Sequence, residues 1–71
     1  MQTIKKYFRV DRREICFLKY IFEACDGIAM MTTIDSQAGF VRLHISPGCE
    51  EDVGLIIQNL KKNIMIEPVT L

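Results

Sequence analysis

Residues 40–60 read FVRLHISPGCEEDVGLIIQNL, and the apolar period changes inside them. From Phe40 to Ser46 the period is two. Val41, Leu43 and Ile45 fall on one side and Phe40, Arg42 and His44 on the other, the pattern of a strand with one covered face. From Val53 the period is helical, with Val53, Ile56, Ile57 and Leu60 at i, i+3, i+4 and i+7. Pro47 and Gly48 break the strand and turn the chain. Glu50, Glu51 and Asp52 then fill the first helical turn. Carboxylates there meet unpaired N–H groups and the positive end of the helix dipole, for about 0.3–1 kcal/mol each. Lys61 and Lys62 are predicted in the last turn, where cations favour the dipole, with Asn63 ending the helix.

A thiol, Cys49, sits beside those three carboxylates, and its chemistry follows from them. A helix N-terminus alone lowers a cysteine pKa, but adjacent carboxylates disfavour a second anion. No histidine lies beside Cys49 to act as its base, and His44, on the preceding strand, is the one histidine in the chain. Cys49 is therefore expected to act as a cap or a small apolar contact. Metal ligation needs a set of donors at ligand spacing, and Cys16, Cys25, Cys49 and His44 show none. The chain carries no glycine-rich phosphate loop, Ser–His–Asp set or dinucleotide fingerprint. No catalytic residue, metal or cofactor is expected, and the chain is read as non-enzymatic.

Working outward, residues 3–10 (TIKKYFRV) alternate as a strand, with Ile4, Phe8 and Val10 on one face and Lys6 at its rim. Residues 11–27 (DRREICFLKYIFEACDG) read as a helix. Asp11 and Glu14 form a capping-box variant, and Ile15, Leu18, Ile21, Phe22 and Cys25 make an apolar stripe. Gly27 stands where a left-handed residue ends a helix. A strand follows from Ile28 (IAMMTTID), then a polar hairpin loop (DSQAG) that leads into the strand at Phe40. The last eight residues (IMIEPVTL) form a strand, which Pro68 assigns to an edge.

The order β-α-β-β-α-β, with short connections and right-handed crossovers, specifies one α+β domain over residues 1–71. It is the ferredoxin-like arrangement: a four-stranded antiparallel sheet of order 4-1-3-2, with both helices on one face. The other face is open. Lys5, Tyr7 and Arg9 from the first strand line it beside Phe40, Arg42 and His44 from the third. From the second strand either Ala29, Met31 and Thr33 or Ile28, Met30 and Thr32 join them, and the first set is favoured because Ile28 and Ile34 then pack inward. Tyr7, Arg9, Met31, Phe40, Arg42 and His44 thus form a candidate interface.

Size and composition bound the rest. A chain of 71 residues that is 49% apolar has more apolar side chain than one small body hides. A homo-oligomer, most simply a dimer, is expected. Nine acidic residues balance nine basic ones, so net charge gives no case for nucleic acid. Three cysteines without paired spacing argue for reduced thiols and the cytoplasm. No apolar run approaches the roughly 20 residues that cross a membrane, and the basic N-terminus leads into no signal-peptide core.

Three resemblances carry expectations of their own. VDRREICFLKYIFEACDGIAMM resembles an ACT-type regulatory module, in which an Asp-Arg-x-Gly-Leu pattern opens the first helix. Asp11 and Arg12 fit that pattern, and Glu14 stands in place of its glycine. The likeness implies binding of an amino acid or similar small metabolite at a dimer interface, near Asp11, Arg12 and Arg13. FLKYIFEACDG and SPGCEEDV are similar to segments of a family of small bacterial proteins of unknown function, a likeness that covers most of the chain. GFVRL, at Gly39–Leu43, resembles the later half of the third-strand motif of RNA-recognition domains, with Phe40 at a base-stacking position. The leading expectation is a self-associating ACT-like regulatory or small-metabolite-binding module. The alternative is a single-stranded RNA-binding domain that uses the open sheet face.

Overall fold

In the computed structural model, which describes residues 4–24 and 27–70, the chain forms six main elements. They are β1 (Ile4–Val10), α1 (Ile15–Ala24), β2 (Ala29–Asp35), β3 (Phe40–Ile45), α2 (Glu50–Leu60) and β4 (Ile66–Val69). A single 3-10 turn, Arg12–Glu14, leads into α1. The sheet order is β2-β3-β1-β4 with every neighbouring pair antiparallel, which is the expected 4-1-3-2 read from the other side. The fold is ferredoxin-like.

The two-residue period of β3 decides the layering. Val41, Leu43 and Ile45 are almost fully covered, and their cross-strand partners on β1 are Phe8, Lys6 and Ile4. Ile15, Leu18 and Phe22 of α1 and Val53 and Ile57 of α2 close over them, so both helices lie on that face. Full burial of side chains such as Phe22, Leu18 and Leu43 contributes roughly 1.5–3 kcal/mol each. Lys6 shares this face between Ile4 and Phe8 but lies exposed at its rim, and Ile4 is 37% exposed at the strand's start. Ile21 is half-buried, while Cys25, assigned to the same stripe, lies outside the described residues.

The helix ends differ in detail from the sequence reading. The Asp11 carboxylate accepts from the Arg13 N–H at 3.0 Å. The Asp11 N–H donates across to the Met65 carbonyl, which leaves only one half of a capping box. The first turn is accordingly tightened to 3-10 form before α1 begins. Gly27 has φ +75°, as a helix-ending glycine requires. At α2, Cys49 stands at the N-cap without a side-chain capping bond and packs half-buried against the core. The Gly48 N–H turns to the Glu50 carboxylate instead, at 3.3 Å. α2 stops at Leu60, so Lys61 and Lys62 lie just past it rather than in its last turn. The Lys61 and Ile64 amides close the end onto the Ile57 and Leu60 carbonyls.

β2 corrects one expectation. Met31 pairs with Leu43 and is 4% exposed, so it belongs to the core beneath the helices and not to the open face. Ala29 and Thr33 share its side of the sheet. Met30 and Thr32, opposite His44 and Arg42, take the places on the open face. The two isoleucines that guided the assignment lie outside the regular pairing. Ile28 precedes the strand, and Ile34 sits in a bulge between Thr33 and Asp35 and is 44% exposed.

Candidate functional site

The open face is built from alternate residues of all four strands. Lys5, Tyr7 and Arg9 stand opposite His44, Arg42 and Phe40 in the β1–β3 register. Tyr7 and Phe40, on the diagonal, stack with ring centroids 6.0 Å apart and planes at 30°. That offset geometry suits two aromatic quadrupoles. Arg42 Nε–H donates to His44 Nε2 at 3.0 Å, which ties these two side chains together on the face. Arg9 reaches Glu67 of β4 at 3.8 Å, both side chains exposed. The face therefore carries two stacked rings with cations around them, two of which already have partners.

The first strand–helix junction is a separate cluster. Arg13 grips the Asp11 carboxylate through Nε at 3.2 Å and Nη2 at 3.0 Å. These side-chain bonds, followed by the Arg13 backbone N–H, hold the Asp11 carboxyl below its ordinary range, and the same contact raises Arg13. Arg12 turns to the hairpin loop, where its Nη1 donates to Gln37 Oε1 at 3.3 Å. Asp11, Arg12 and Arg13 thus cap the helix and tie it to the β2–β3 loop, and none of them lines the groove along β2.

A wide concavity runs along β2 instead. It is an open groove of about 920 Å³, flanked by Lys19 and Glu23 of α1 and by Met30, Thr32, His44 and Ser46. Lys19 and Glu23, missed in the sequence reading, are one helical turn apart, a spacing that puts them on a shared side of α1. The groove follows β2 because β2 is an edge strand, paired on one side only. The Ser46 N–H donates to the Ile28 carbonyl at 3.0 Å, so Ile28 points its backbone groups at β3. By the alternation of an antiparallel ladder, Met30 and Thr32 do the same, while Ala29, Met31 and Thr33 direct their N–H and C=O groups out of the free edge.

Among the described residues no three His, Cys, Asp or Glu side chains come together as a metal site, and no helix is long and apolar enough to cross a membrane. Cys16 is exposed and Cys49 half-buried, both as free thiols.

The profile of the family described as Domain of unknown function (DUF4911) matches residues 8–64. The chain belongs to the DUF4911 family. The matched span runs from Phe8 in the middle of β1 past the end of α2, so it takes in both helices, the β2–β3 hairpin and the groove. No curated protein and no solved structure matches the chain. DUF4911 membership brings no activity with it.

Proposed function

We propose that this DUF4911 chain is a non-catalytic, ACT-like regulatory module that works as a pair of identical subunits and takes a small metabolite beside β2. The observation that carries the reading is the groove along an unpaired strand edge. Its volume falls within the range of about 300–1,000 Å³ usual for small-molecule sites. A cation, a carboxylate, hydroxyls and a thioether flank it, a mixture suited to a small polar metabolite such as an amino acid. Apolar side chains left on the surface, among them Phe17, Tyr20, Met30 and Leu55, support self-association. Sedimentation at micromolar concentration is expected to give a dimer, and a thermal-shift panel of amino acids a ligand that raises Tm. A monomer at all concentrations would remove the pairing. A flat panel would remove the metabolite.

The stacked Tyr7–Phe40 pair favours a second reading, single-stranded RNA on the open face. Lys5, Arg9 and Arg42 surround the rings. On that reading Tyr7→Ala and Phe40→Ala each weaken binding by about 1–3 kcal/mol in fluorescence anisotropy at low salt. No binding by the wild-type chain would end it.

A further inference from the structure

Building on that reading of self-association, we propose that two copies join through β2, antiparallel, about a two-fold axis that passes through Met31. The sheet has two edges, and only one is open to pairing. β4 is four residues long and carries Glu67 and Pro68, both of which discourage a further strand. β2 runs AMMTTID, with no proline and no charge before Asp35. An edge of that kind offers its backbone groups to any strand that meets it.

The register follows from the backbone. Ala29, Met31 and Thr33 present their N–H and C=O groups outward, and the bulge between Thr33 and Asp35 ends the regular edge. A two-fold axis uses all three of these residues only if it passes through the middle one. Met31 then faces the partner's Met31, and Ala29 faces the partner's Thr33, each facing pair exchanging both N–H···O bonds. On the open face Met30 stands opposite the partner's Thr32 in a pair without hydrogen bonds between them. Asp35 falls opposite the partner's Gly27 and so not opposite its own counterpart in the partner.

Two observations select a second copy as the strand that pairs with this edge, which sets the groove, and any metabolite in it, at the seam between the two subunits. The exposed thioether of Met30, 64% accessible, is covered when the partner's β2 lies beside it. The same axis sets α1 antiparallel to the partner's α1, and α1 bears Lys19 and Glu23 on the side that flanks the groove. Each copy then offers its partner the opposite charge, a self-complementary pattern that an unrelated strand would have to reproduce by accident.

Cysteine crosslinking reads the register. Facing residues in a pair without mutual hydrogen bonds have Cα atoms roughly 4.5 Å apart, within disulfide reach. Like residues, Met30 to the partner's Met30 or Thr32 to the partner's Thr32, are offset by two positions and lie roughly 8 Å apart, beyond it. The variant carrying both Met30→Cys and Thr32→Cys is therefore expected to oxidise to a covalent dimer at least about tenfold more than either single variant. The wild-type chain controls for Cys16, Cys25 and Cys49. Efficient crosslinking by Thr32→Cys alone would move the axis to Thr32 and overturn the proposal. A dimer in sedimentation that none of the variants crosslinks would overturn it too and leave self-association standing on another surface. A monomer would take both away.

Discussion

Gly39 closes the β2–β3 loop at φ +73°, and a Cβ there would collide with the Val10 carbonyl oxygen. The approach is close because the Val10 N–H donates to the Gly39 carbonyl at 2.8 Å, which continues the β1–β3 ladder past Phe40. Gly39→Ala is expected to destabilise by about 1–3 kcal/mol through the backbone conformation alone, and by more through the collision. Gly54 has open space around it in the middle of α2, where Ala has the better helix propensity. Gly54→Ala is expected to stabilise by about 0.5–1 kcal/mol. Urea unfolding of the two variants gives opposite signs if both assignments hold. Asp11 supplies a pH-dependent case. Its carboxyl is depressed in the folded chain by the Arg13 guanidinium and amide, so its stabilisation is fully present above the unfolded value of about 3.9 and is lost as pH falls through the folded value. Asp11→Asn keeps an acceptor for the Arg13 amide and removes the charge. The Tm difference between wild type and variant is expected to be constant near neutrality and to shrink below about pH 4, which thermal melts across that range would test.

At the scale of the elements, β3 and both helices were legible in the sequence because each has one covered face and therefore a clear period. Val41, Leu43 and Ile45 fall where alternation put them, and Leu18, Phe22, Val53 and Ile57 where the helical stripe did. β2 was not legible in the same way. Its methionines and threonines carry no strong contrast between faces, and the bulge at Thr33/Asp35 breaks the phase on which Ile34 was counted. Register with β3 sets the faces instead, by pairing Met31 with Leu43. The open-face set from β1 and β3 could be read in advance for the opposite reason, since polar and apolar residues alternate cleanly along β3 and, apart from Lys6, well enough along β1. The groove could not, because it is made by the edge position of β2 and by Lys19 and Glu23 of a different element. The two neighbouring methionines give a direct check. Met31→Ala empties a covered core position and is expected to cost about 2–5 kcal/mol. Met30→Ala, on the exposed face, is expected to stay within about 0.5 kcal/mol in the isolated subunit. Equal effects in denaturant titrations would mean that β2 is turned over.

The whole molecule combines a short chain, one layer of helices and one strand edge without a guard. Folding hides the helix-side face of the sheet but leaves the backbone groups of Ala29, Met31 and Thr33 facing outward and Met30 exposed. Monomeric proteins blunt such an edge with proline, charge or a covering segment, as Glu67 and Pro68 do for β4. β2 carries no proline, and no charge before Asp35, along its span, and the proposed pairing would complete the edge that is left open. On the proposed pairing, stability is a property of concentration as well as of sequence, because a native pair dissociates when it unfolds. A tenfold rise in concentration favours a folded dimer by about 1.4 kcal/mol, or roughly 0.7 kcal/mol for each chain. For a domain of this size that is a Tm increase of about 3–6 °C per tenfold step. Scanning calorimetry at two concentrations a hundredfold apart would show the shift. A Tm that does not move would mean that the β2 edge stays solvated, and that the fold is stable with its outward amides bonded to water alone.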